Sequence, residues 1–301
     1  MPPLAASRLH DVESLTNAAL SHLDEKSPAA LLLERVRKLL AAERTALAVH
    51  SMIAQEDRQA AIALHRSLLP DMLPRVPGLG LSARYVTGSG NVGGDWYDVF
   101  VLPDGKVGIV VGDVAGSGLP AAVVMGRMRS SLRSYVLQAS DPATALGLLD
   151  RKIQYFEAAA MATVLYGVYA PGTGELTVSC AGHMPPVLVT PTADRMSARL
   201  LPVHPDLPIG VADAPERRAL TITIPRGGLL CCYTDGLVER RGEHIDEGLG
   251  RLTRALESLA WTSPAGDPSS RAEAACATVM GSLIGDATAT DDVALLMAQR
   301  S

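Results

Sequence analysis

The sequence predicts an α+β chain in which a helical arm precedes a strand-rich domain with helices inserted among its strands. Three observations predict it. Residues 9–69 carry many helix formers and few strand signals. After the Pro- and Gly-rich linker "PDMLPRVPGLG", the pattern changes to short β-branched runs bounded by turn residues. Helical stretches then separate groups of strands without the regular alternation of a parallel sheet. At 301 residues and 48% hydrophobic, the chain can bury a sizeable core. The expected division is a regulatory or dimerising arm over residues 1–69 and one domain over 70–301.

In the arm, "AALLLERVRKLLAA" is followed by "SMIAQEDRQAAIALHRSLL", and Pro70 stops the pattern. Ile53, Ala60, Leu64 and Leu68 approximate a heptad seam, which suits a coiled-coil dimer or a helix laid on the next domain. Beyond the linker, "LSARYV" reads as a strand, and "YDVFVLPDGKVGIVVGD" as two strands around a Pro103-Asp104-Gly105 turn. Helices are expected at about 119–139, where Pro120 suits the first turn, and at 142–158. "TVLYGVYAPGTGELTVSCAGH" is a hairpin closed at 171–174, "GGLLCCYTDGLVE" holds an apolar strand, a third helix spans about 271–284, and "DDVALLMAQ" ends the chain in a strand.

Net charge is −5 with a pI near 5.8 and no long basic run, which excludes a protein that binds nucleic acid through its backbone. Apolar runs are too short to cross a bilayer, and the expected location is the cytoplasm. Cys180, Cys231, Cys232 and Cys276 show no C-x-x-C spacing and read as buried thiols in a reducing compartment.

The chemistry points to acids. "NVGGDWYDVF" places Asp95 and Asp98 behind paired glycines; "KVGIVVGDVAGSG" ends a strand on Asp113; Leu229 to Tyr233 lead to Asp235 before Gly236; and Asp291 and Asp292 precede the terminal strand. In an antiparallel sheet one strand ends where its neighbour begins, so acids at these positions can meet at one rim. Each Asp singly suits a turn or a cap. Together, unpaired carboxylates repel one another unless cations neutralise them, and oxygen donors without spaced His or Cys suit Mg²⁺ or Mn²⁺.

Taken in order, "LHRSLLPDMLPRVPGL", "ARYVTGSGNVGGDWYDVF", "VGDVAGSGLPAAVVMGRMRSSLR", "MATVLYGVYAPGTGELTVSCAGHMPPVL", "LPIGV", "YTDGLVERRGEHIDEGLGRL" and "DDVALL" resemble the SpoIIE/RsbU branch of the metal-dependent (PPM, type 2C) serine/threonine phosphatases, over about residues 64–299. The resemblance implies a β-sandwich of two antiparallel sheets flanked by helices, with two Mn²⁺ or Mg²⁺ ions at one end. It implies hydrolysis of phosphoserine or phosphothreonine by a water activated between two metals, without a covalent phosphoenzyme. The implied substrate is an anti-anti-sigma (STAS) protein of a sigma-factor partner-switching pathway, and the helix entering the domain is implied to act as a dimerising switch in a homodimer. Asp113 resembles the carboxylate bridging both ions, the Val114 carbonyl the backbone ligand beside it, and Asp235 and Asp291 the other direct ligands of one ion. Asp95 matches an acid acting through metal-bound water, Asp292 and Gly94 match positions that orient the site, and Asp98 is structural. Ser117 departs from relatives that carry Lys or His in the glycine turn.

Other readings fit less well. No cysteine has an Arg six positions later, as a C-x5-R phosphate cradle demands. His183 in "AGHMPP" is a candidate proton donor, though a His between Gly and Pro is more often structural. A nucleotide site at "GIVVGDVAGSG" lacks Gly-Lys-Ser/Thr. A catalytically weak PPM-fold binding module is opposed by intact acids at all matched positions. Finally, "ESLTNAALSHLDEKSPAALLLERVRKLLAAERTALAV" resembles the opening helix and first strand of a GAF sensor domain, with too little chain following to complete one.

Overall fold

The structure, a computed structural model, describes residues 3–23, 27–88, 93–211, 216–259, 267–285 and 289–301, with backbone alone for 3–9. Asn91 and Val92 of the first acid motif lie outside the described residues. The chain divides into two compact units, Met1–Ala60 and Ala61–Ser301. In the first, α1 (Pro3–Leu20) is followed by α2 (Pro28–Leu68), which continues into the second unit. Ser27 caps α2, its Oγ accepting from the Ala30 N–H at 3.1 Å, and Pro28 follows in the first turn. The helix then runs without Gly or Pro through Leu68, straight through the segment that resembles the first strand of a GAF domain. That strand is absent among the described residues, because Ala, Leu, Glu, Arg and Lys all favour helix and nothing interrupts them.

The expected seam also divides. Ile53 is exposed, whereas Leu64 and Leu68 are half-buried, and Leu68 rests on Gly126 of α3 (Leu119–Tyr135), where a Cβ would come within 2.8 Å of its Cδ1. The inward positions of this last stretch are Ala61 and His65, one helical turn apart.

The larger unit is the expected sandwich. One antiparallel sheet has the order β1 (Leu79–Val86), β10 (Val293–Arg300), β9 (Leu229–Tyr233), β6 (Val187–Pro191), β7 (Met196–Leu200). The other runs β2 (Trp96–Val101), β3 (Val107–Val114), β4 (Ala162–Ala170), β5 (Glu175–Ala181), β8 (Ala219–Thr223). Alternation assigns the faces. Val107, Ile109 and Val111 of β3 point between the sheets with Leu230, Cys232 and Leu296, while Val110 and Val114 point outward onto Met125 and Met128 of α3 and Leu146 and Leu149 of α4 (Pro142–Phe156). On the opposite flank, Leu229, Cys231 and Tyr233 of β9 meet α5 (Ile245–Glu257) and α6 (Pro268–Leu283). The apolar strands thus read as continuous runs because helices cover both outer faces, each fully buried Val or Leu contributing about 1.5–3 kcal/mol. The alternation also sends Cys231 and Cys232 to opposite faces; all four cysteines are free and buried, and burial pushes the Cys232 thiol up to about 12.

The two-strand reading around Gly105 holds, with Gly105 at φ 80° and its N–H on the Leu102 carbonyl at 2.9 Å. The hairpin at 171–174 joins β4 to β5. Sequence reading had not singled out α5 or β6 to β8, the three strands being only five residues each. Among the described residues no helix is long and apolar enough to cross a membrane.

Candidate metal centre

Strand register brings the acids to one end of the sandwich. Trp96 pairs with Gly112, so Asp95 stands just ahead of β2 where Asp113 lies near the end of β3. Leu295 pairs with Tyr233, so Asp235, two residues beyond β9, neighbours Asp291 and Asp292 at the mouth of β10. The sheets meet there electrostatically: Asp113 feels Asp291 and Asp292, and Asp235 feels Asp113.

The glycines make this approach possible. A Cβ on Gly94 would overlap the Val114 carbonyl, and one on Gly236 would overlap the Asp292 carbonyl. A Cβ on Gly88 would lie 2.6 Å from the Asp291 carbonyl carbon. The Val114 N–H donates to the Gly94 carbonyl at 3.2 Å, which holds Asp95 beside the end of β3. The paired glycines ahead of Asp95 are therefore a packing requirement of the rim.

These carboxylates are charged against their surroundings. Burial, and then the charge of Asp113, hold the Asp95 carboxyl well above the usual carboxylate range. Burial also raises Asp113, with Asp291 and Asp292 adding to it. Asp235 is pushed up to about 6 by burial, then by Asp113 and Asp291. Asp95 is 4% exposed, and its Oδ2 has no hydrogen-bond partner. No ion pair reaches Asp95, Asp113, Asp235 or Asp291 among the described residues. Hard oxygen donors, an orphaned carboxylate oxygen and unneutralised charge fit a divalent cation. Among the described residues, and as the side chains stand, no group of three or more His, Cys, Asp or Glu is close enough to hold an ion.

The remaining candidates separate by their partners. Asp292 is 1% exposed, and its carboxylate accepts from Tyr85 Oη and from the Gly88 and Gly93 N–H groups, both at 2.8 Å. Its oxygens are occupied in tying β1, the glycine segment and β10 together. Asp98 is 1% exposed and bound by Arg129 at 3.0 Å and by Arg133 at 2.6 Å, which fasten α3 to β2. His183 is a strut: Nε2 donates to the Tyr233 carbonyl at 3.1 Å, leaving Nδ1 to accept from Thr163 Oγ1 at 2.8 Å. Burial lowers its pKa to about 4, and neither nitrogen is free to deliver a proton. Ser117 is exposed in a turn whose flanking Gly116 and Gly118 have φ of 112° and 76°.

Sequence reading missed His65. It is 1% exposed, its Nε2 donates to the Asp95 carbonyl at 2.7 Å, and its ring stacks on Tyr85 with centroids 4.6 Å apart. Because a carbonyl only accepts, Nε2 carries the hydrogen, and Nδ1 is a buried acceptor without a partner. Leaving such a group unsatisfied costs about 1–3 kcal/mol. The available signal was its spacing of four from Ala61 on the inward helix face.

Comparison with known proteins gives the chain a family and a shared fold. The profile of the Stage II sporulation protein E (SpoIIE) family matches residues 103–301. The chain belongs to the SpoIIE family. Its core resembles the solved RsbU and RsbW domains of Rv1364c from Mycobacterium tuberculosis, at 30% identity and a TM-score of 0.67, over 77% of this chain and 63% of that one. The SiaA-PP2C domain of Pseudomonas aeruginosa shares the fold at 22% identity and a TM-score of 0.64, over 84% of this chain and 99% of that one. Phosphoserine phosphatase RsbU of Bacillus subtilis (strain 168) is 24% identical over 185 residues, 60% of this chain and 53% of RsbU. The chain thus spans about half the length of RsbU.

Proposed function

We propose that this SpoIIE-family protein is a metal-dependent phosphatase that hydrolyses phosphoserine or phosphothreonine on a protein. The observation that carries the reading is the rim itself: Asp95, Asp113, Asp235 and Asp291 gather from both sheets, and no ion pair reaches them among the described residues. Family membership and the phosphoserine phosphatase RsbU as a relative support it. Asp113, the Val114 carbonyl, Asp235 and Asp291 would hold two Mn²⁺ or Mg²⁺ ions, with Asp95 beside them. When bound, the cations supply positive charge that activates water and stabilises the transferring phosphoryl group. The chain's own part is positional. Asp292 locks the three backbone segments that frame the acids, and His183 joins β4 to the end of β9. With Ser117 in the glycine turn, no side-chain charge is offered there to phosphate.

The substrate we infer is a phosphorylated STAS-domain anti-anti-sigma protein, in keeping with an RsbU-like role in partner switching in the cytoplasm. The arm over residues 1–69 is the inferred dimerising element: Leu39, Val49, Met52 and Ile53 of α2 are exposed aliphatics on a long helix. The deciding experiment offers a phosphorylated STAS protein and an unrelated phosphopeptide, each with Mn²⁺, with Mg²⁺ and with chelator. Metal-dependent release of phosphate, faster from the STAS protein, is the expected result. Equal rates in chelator and Mn²⁺ would refute the metal mechanism, and no release from either substrate would leave a binding module. Light scattering on the wild type and an Ile53→Asp variant tests the dimer.

A further inference from the structure

The last turns of α2 touch the acid rim through one side chain, and the contact has an unusual cost. His65 is fully packed, yet its Nδ1 is a buried acceptor with no partner. Were packing its whole role, a phenylalanine ring would stack on Tyr85 equally well and leave no acceptor unsatisfied. The imidazole offers what an apolar ring does not, the Nε2–H that donates to the Asp95 carbonyl at 2.7 Å. Its face serves a second acid. It stacks on Tyr85, whose hydroxyl donates to Asp292 Oδ2, and that same oxygen accepts from the Gly93 N–H at 2.8 Å. Gly93 and Gly94 lead directly into Asp95, so the two routes from His65 close on one backbone segment.

We propose that His65 is a positioning residue for the metal centre: its Nε2–H sets the backbone of Asp95 while its ring, through Tyr85, sets Asp292. The proposal rests on the metal-dependent reading above. Loss of the imidazole withdraws a hydrogen bond from Asp95 and a ring face from Tyr85 together, and a carboxylate whose support is loosened binds its cation less well.

The test is titration of Mn²⁺ into the chelator-stripped full chain by calorimetry, with melting temperature in chelator measured separately. His65→Phe keeps the ring and loses the donor, His65→Gln keeps an N–H donor and loses the ring, and Tyr85→Phe keeps the stack and loses the hydroxyl. Weakening of Mn²⁺ binding by about tenfold or more is expected for His65→Phe and Tyr85→Phe, with His65→Gln, which restores the donor and not the ring, recovering part of it, the scale typical of groups that support metal ligands. If His65→Phe does not fold, Tyr85→Phe carries the decision alone. Affinities of both Phe variants within about twofold of wild type would overturn the proposal. So would a His65→Gln protein as impaired as His65→Phe, since that marks plain packing. Wild type and Asp113→Asn run alongside: a wild type that takes up no Mn²⁺ sinks the phosphatase reading and this proposal together. A wild type that binds, an Asp113→Asn that does not, and a His65→Phe that matches wild type sink this proposal alone.

Discussion

Asp95 and Asp98 stand three residues apart on one strand entry, both nearly inaccessible, and they have opposite fates. Asp98 faces α3 and is held by Arg129 and Arg133, with Arg133 also lying over the Phe100 ring at 5.3 Å. Asp95 faces the rim, where its nearest charged neighbours are Asp113 and Asp235. A second internally neutralised acid, Asp150 of α4, makes the same contrast: Arg217 reaches it at 2.6 Å, and the Gly210 N–H donates to it at 2.8 Å. The difference teaches how to sort buried carboxylates in this fold. Those given a guanidinium by their own chain are fasteners, and removing one partner strands the other charge. Those left among other acids are the ones that the proposed cations would neutralise.

The sharpest break in that comparison is Asp113→Asn. Loss of the carboxylate nearest the centre of the rim is expected to lower phosphate release at least 10³-fold, about 4 kcal/mol in the barrier, with the fold intact by circular dichroism. A variant working at the wild-type rate would remove the acids from the chemistry. Asp98→Ala is the converse. It is expected to destabilise the protein by about 3 kcal/mol in urea unfolding, since two arginines lose their partner, while Mn²⁺ affinity stays near wild type. Unchanged stability would show the network to be ornamental.

A third prediction uses pH. His183 is held neutral, its folded pKa of about 4 lying below the ordinary 6.5, so the unfolded chain takes up the proton first as pH falls. Stability is therefore full above about 6.5 and is lost progressively toward 4, by about 2 kcal/mol at pH 5. His183→Gln should flatten the difference between urea melts at pH 7 and pH 5; an equally steep loss in the variant would refute the assignment. The smallest effect has the opposite sign. Asp235 ionises near 6 when folded against 3.8 when free, so the metal-free protein loses stability as pH rises across that window. In chelator at pH 7, Asp235→Asn should raise stability by about 1 kcal/mol, well under the ~3 kcal/mol of the full shift because Asp235 is half-buried and water screens its neighbours, and saturating Mn²⁺ should reverse the order. A lower melting temperature for the variant in chelator would mean that repulsion at the rim is slight.

Local pattern determined much of this protein. Alternating apolar runs, turn glycines and Pro70 were sufficient for most strands, for the helices at 119 and 142, and for the end of α2, because these depend on residues close in sequence. The acids were legible too, each marked by an adjacent glycine or strand end, and so was the family. Local pattern also marked the arm as helical, and it is; only the resemblance of its opening to a GAF helix and strand finds no strand among the described residues. The tertiary structure alone decided which arginines neutralise Asp98 and Asp150. Arg129 and Arg133 lie some thirty residues from Asp98, and Arg217 lies 67 residues from Asp150. The same holds for His65 and Asp95, thirty positions apart and joined by a hydrogen bond to a backbone carbonyl, which has no side-chain signature to read. Charge pairing and backbone contacts between distant segments depend on how the sheets and helices close upon one another, and that closure places His65 against the rim and gives Asp95 no basic partner among the described residues.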